Sequence, residues 1–241
     1  MKYPVPSLIA FLTALTPGFA AASSAFIVQE RVSKPTIVMT EVSTDEAYEP
    51  EYVKQVLGFT AHDTHLVVPR TVLPDHVILA PLAQTAMIIL VADFGYHARP
   101  THDEIWRDGR KSDLPGTDIG LHAIKESVNI LQSAPATLHP HGLELEIVPQ
   151  SDPLALKRGD VLKVQVLLHG KPLPGVELQE NFLSTLDQKS PPTDARGFTT
   201  VRIQADQFNV IQLTYEEAVK GDPDVDFFRY NSALTFNLAG N

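Results

Sequence analysis

Nine histidines and no cysteine set the chemistry open to this 241-residue chain. Without thiolates, disulfides, iron–sulfur clusters and cysteine-ligated zinc are ruled out. A site for nickel, cobalt, copper or zinc has to be built from imidazole and carboxylate. Two stretches carry such donors at ligand-like spacing. His62-Asp63-Thr64-His65 packs two imidazoles and a carboxylate into one short segment, where a tight turn lets them converge on one ion. His97 and His102, followed by Asp103 and Glu104, lie in a polar stretch. A third pair, His139 and His141, faces one side of an extended chain. The expected metal ligands are His62, His65, His97 and His102. The competing interpretation of each pair is a solvated loop histidine, because a pair fixes neither geometry nor a third ligand.

Other motifs are weaker. Arg158-Gly159-Asp160 spells an adhesion tripeptide, but it also places glycine where a turn into a strand needs it. Asp222, Asp224 and Asp226 alternate as hard oxygen donors suited to calcium, yet Pro223 and the lack of a downstream glutamate do not fit an EF-hand. The chain has no nucleophile elbow, phosphate-cradling glycine loop or H-E-x-x-H helix, and a non-enzymatic role is expected. A net charge of −10 repels phosphate backbones and disfavours nucleic acid, while attracting cations.

These side chains need a scaffold, and the pattern is β. From residue 142 onward apolar residues alternate with polar ones between turn signals. Leu143, Leu145 and Ile147 form one such set; Leu162, Val164, Val166 and Leu168 form the next. Six or seven short strands at regular spacing predict an immunoglobulin-like β-sandwich over 142–241. Residues 26–135 are expected to form a second β domain with long loops. Its strands are expected near 26–31, 36–41, 65–68, 77–79 and 87–94, with one short helix within 45–57. Pro35, Pro50, Pro69, Pro74 and Pro81 forbid longer helices. Residues 96–115 form a polar excursion, 119–131 return the chain, and 134–142 link the halves. The fold class is therefore all-β, with two sandwich-like domains. Residues 1–25 have the pattern of a signal peptide: Lys2, an apolar run over 8–15, then Ala20, Ala21, Ala22 and Ala25 as small residues for cleavage. That run is too short to span a bilayer, so a soluble periplasmic protein is expected after cleavage.

Three segments carry a family likeness: LELEIVPQSDPLALKRGDVLKVQVLLHGKPLPGVEL, TDARGFTTVRI and YNSALTF. FGYHARPTHDEIW, with the run into IKESVNIL, adds to it. The chain resembles a family of exported bacterial proteins without known function, earlier labelled NikM-like periplasmic components of nickel or cobalt uptake. That resemblance implies a signal peptide, two β domains and transition-metal handling outside the cytoplasm. The family often carries a histidine near the mature N-terminus; this chain has Ser23-Ser24-Ala25-Phe26 there, and Tyr215 stands where a second family histidine falls. The expected function is a periplasmic accessory protein that binds or presents nickel, cobalt or a chelate to a membrane transporter. The alternative is a metal-free module that docks an envelope protein.

Overall fold

The computed structural model describes residues 25–40 and 44–238. The expected signal peptide lies almost wholly outside them; of its residues only Ala25 is described, opening the first strand. The fold is all-β. In chain order the N-terminal strands are β1 (Ala25–Arg31), β2 (Lys34–Thr40), β3 (Val53–Phe59), β4 (His65–Val67), β5 (Arg70–Val72), β6 (Val77–Leu79), β7 (Met87–Arg99), β8 (Arg107–Asp108) and β9 (Ile119–Ile130). The C-terminal strands are β10 (Leu145–Pro149), β11 (Val161–Leu168), β12 (Lys171–Pro172), β13 (Gln179–Asn181), β14 (Thr185–Lys189), β15 (Phe198–Arg202), β16 (Phe208–Ala218) and β17 (Phe227–Asn237). Where a helix was expected within 45–57, Pro50–Tyr52 makes a single 3-10 turn and β3 begins at once. Proline at the first position starts that turn, and the β-branched residues after it prefer the strand.

The strands form three sheets. A small sheet runs β1-β2-β6-β5, and a second pairs β11 with β10, β12 and β15. Between them lies a large sheet, ordered β14-β13-β16-β17-β9-β7-β3-β4, with β8 added along β7. Its middle joins the two halves of the sequence: β17 pairs in parallel with β9 from Phe227 opposite Leu121 to Phe236 opposite Ile130. The expected division at 134–142 therefore marks a connector, while the central sheet continues across both halves. Residues 96–99, expected in a loop excursion, prolong β7, which bulges between Asp93 and Gly95. Gly95 has φ +76°, a conformation that glycine adopts without steric cost.

Both faces of the central sheet are covered, which explains the near-continuous apolar run in β7. Met87 and Ile89 point into one core with Leu145, Val164, Val166 and Leu234. Ile88, Leu90 and Ala92 point the other way, against Phe26, Ile37, Val77 and Leu79. Asn129 rivets two layers. Its buried carboxamide oxygen accepts from Val28 N (2.8 Å) and Thr235 Oγ1 (2.9 Å), while its NH2 donates to Ile88 O and Ser127 Oγ.

Candidate metal centre

The β3–β4 hairpin turns through residues 60–64. Thr60 closes it in two ways. Its N–H donates to Thr64 O (2.9 Å), and its hydroxyl accepts from His62 N (3.3 Å) and Thr64 N (3.1 Å). Asp63 N donates to Thr60 O, and Asp63 sits at φ +61°, a left-handed conformation that aspartate tolerates better than most residues. This fixed loop aims the Asp63 carboxylate away from its sequence neighbours, toward the connector that precedes β10.

That connector is held as firmly. Pro135–Leu138 makes one 3-10 turn, closed by the Thr137 hydroxyl on Ala134 O. The buried Glu146 carboxylate then accepts from His141 N (2.6 Å) and Gly142 N (3.1 Å). Between these anchors the chain is extended, so His139 and His141 project to the same side, with ring centroids 4.6 Å apart.

Their partners set the tautomers. His141 Nε2 lies 2.8 Å from Ala136 O; a carbonyl only accepts, so Nε2 carries a proton and Nδ1 is the nitrogen that can bind an ion when the ring is neutral. His139 Nδ1 meets Pro140 O at 3.1 Å, which by the same logic leaves the lone pair on Nε2. Both remaining nitrogens face Asp63: His139 Nε2 is 3.5 Å from Oδ2 and His141 Nδ1 is 3.9 Å from Oδ1. These gaps are too long for hydrogen bonds. They slightly exceed the spacing of about 3.3 Å between donors around a tetrahedral ion with bonds near 2.05 Å. All three donor atoms lie within 4.8 Å of one another. His141 is nearly enclosed, with 6% of its side chain exposed, whereas His139 (45%) and Asp63 (47%) open to solvent. Phe59 backs His141 at 5.2 Å. The result is a two-imidazole, one-carboxylate cradle with a carbonyl orienting each ring, the usual outer-shell support of a metal ligand.

Among the described residues this trio is the group of three histidine and carboxylate donors close enough to share one metal ion. The expected quartet is not brought together. His62 and His65 are exposed on the hairpin, and His65 rests against Phe59 at 5.7 Å. His97 lies on β7 with Nδ1 3.0 Å from Asp108, and burial holds its pKa below the usual imidazole value. His102 is exposed in the turn after β7. Three other histidines also face carboxylates: His76 meets Asp45 and Asp75, His122 meets Asp93, and His169 bridges Glu144 and Glu217. The cradle draws Asp63 from one short motif and His139 and His141 from another. Each motif is visible in the sequence; their meeting is not.

The family model described as a domain of unknown function (DUF4198) matches residues 28–217. The chain belongs to this family. Asp63, His139 and His141 fall inside the matched segment of this DUF4198 protein, whereas β17, which joins the two halves of the central sheet, lies beyond it. No curated protein and no solved structure matches the chain. Among the described residues no helix is long and apolar enough to cross a membrane.

Proposed function

We infer that this protein is an exported, non-catalytic accessory protein of transition-metal uptake. It holds a divalent ion at Asp63, His139 and His141 and presents it, in the periplasm, to a membrane transporter. The observation that carries the reading is the pair of carbonyl-oriented imidazoles whose other nitrogens face one carboxylate. Two nitrogens and one oxygen suit nickel, cobalt, copper or zinc, and nickel or cobalt is the cargo that the family resemblance implies. Two half-exposed ligands leave coordination positions open to solvent, as an ion that must be handed on requires. The net charge of −10 raises the local cation concentration.

Calorimetry with nickel, cobalt, copper and zinc at pH 7.5, on tag-free protein, tests the site. One ion per chain is expected. His139→Ala and His141→Ala should each weaken binding at least tenfold, while His97→Ala and His102→Ala leave it intact. Absence of binding by all four ions, or full binding by the His139→Ala/His141→Ala double variant, overturns the reading.

The metal-free docking module has its own support. Leu82, Leu131 and Leu138 are exposed on connectors at the end of the central sheet where Phe59 O accepts from Ala86 N and Ala86 O from Leu131 N. Capture of an envelope protein that survives chelator and the double variant, but not Leu131→Asp, favours that reading.

A further inference from the structure

His97 takes no part in the metal cradle, and its surroundings have a different chemistry. Between the connector that follows β2 and the outer end of β7 lies a cleft of about 410 Å³, a volume typical of small-molecule sites. Three rings, Tyr48, Tyr52 and Phe94, line it, and Phe26 packs against two of them. Phe26 meets Tyr48 edge-on at 5.0 Å and Phe94 at 5.6 Å, and Tyr52 lies 4.6 Å from Phe94 with the rings tilted by 36°. Tyr48 offers only its ring, because its hydroxyl already donates to Ile37 O and accepts from Val77 N, both at 2.9 Å.

The polar groups at the cleft are acidic. Glu46, Glu49 and Asp108 line it, and among the described residues no lysine or arginine does. His97 does not offset them, since burial favours its neutral form. Lys125, whose Nζ sits 5.0 Å from the Phe94 ring centroid, is wholly buried and does not line the cleft. The Tyr52 hydroxyl reports the local field: burial first, then the Asp108 and Glu49 carboxylates, hold its pKa above the usual phenol value. Aromatic faces beside carboxylates stabilise an organic cation twice, through the ring quadrupoles and through direct charge.

We propose that this cleft binds an alkylammonium group, with its charged head among Glu46, Glu49 and Asp108 and its methyl or methylene groups against Tyr48, Tyr52 and Phe94. The group belongs either to a free amine or to a lysine side chain of a partner protein. The site is separate from the metal cradle and does not depend on metal binding.

The test uses the full mature protein in EDTA, in both its natural form and the His139→Ala/His141→Ala variant. Two-dimensional NMR titrations follow four probes: choline, butylamine, the peptide acetyl-Ala-Lys-Ala-amide and 3,3-dimethylbutan-1-ol, the neutral isostere of choline. Saturable shifts centred on Tyr52, Phe94 and Asp108 are expected with the cationic probes, with at least tenfold weaker binding of the isostere. Asp108→Asn and Tyr52→Ala should each weaken binding at least tenfold. The Asp108 side chain is 88% exposed, so its change leaves the fold intact, as circular dichroism will verify. Peptide binding tenfold tighter than butylamine identifies a partner's lysine as the source; the reverse identifies a free amine. Equal binding of choline and its isostere, unchanged binding by both variants, or no saturable shift with any cation overturns the proposal.

Discussion

Replacing Glu126 by glutamine should change how stability depends on pH. Glu126 lies on β9 with only 3% of its surface exposed, and its two oxygens accept from Glu144 N (3.1 Å) and Leu145 N (2.9 Å). Those donors favour the carboxylate, but burial outweighs them, and the Glu144 and Glu146 charges add to its effect. Together they raise the pKa from 4.5 to about 7. The sign follows from linkage. Below the unfolded value both states are protonated; as pH rises, the unfolded chain releases the proton first, so stability is lost until the folded group also ionises. Between pH 4.5 and 7 the loss amounts to about 3 kcal/mol. Glutamine does not titrate and keeps the shape, losing one hydrogen bond at every pH. Urea unfolding in EDTA at pH 4.5, 6 and 8 should therefore show the stability advantage of the natural protein over Glu126→Gln shrinking by about 3 kcal/mol across the range. A difference that stays constant with pH, or grows as pH rises, refutes the reasoning.

Four further outcomes are expected. His169, held charged chiefly by its hydrogen bond to Glu217 and also by Glu144, should titrate above 6.5 in imidazole NMR, and Glu217→Gln should lower the midpoint. Buried His97 should titrate below 6.5, and Asp108→Asn should lower it further, because the Asp108 charge opposes the shift. Asn129→Leu should cost about 3 kcal/mol in urea unfolding, because the buried partners of its carboxamide lose their bonds, and amide exchange at Val28 should quicken. Gly120→Ala places a Cβ 2.5 Å from Asp224 O and should cost about 1–3 kcal/mol, read as a lower Tm, since backbone must move to admit it.

Fold class and much of the strand inventory were legible in the residue pattern. Period-two alternation in residues 143–147 and 162–168 is a local consequence of one buried face, and prolines ruled out long helices without reference to any partner. The alternation leaves open which strand a strand pairs with. The β9–β17 pairing that joins the two halves was therefore invisible, as was the way β7 buries alternate residues in two different cores. The site followed the same division. Absence of cysteine limited the donors to imidazole and carboxylate, and the donor-rich segments around Asp63 and His141 stood out. Sequence proximity favoured His62 with His65 and His97 with His102. Packing overrode that proximity: the hairpin turned Asp63 away from its neighbours, and the connector brought His139 and His141 to meet it. Ligand spacing along a chain is set by its covalent geometry, but convergence on an ion is set by the packing of segments far apart in sequence.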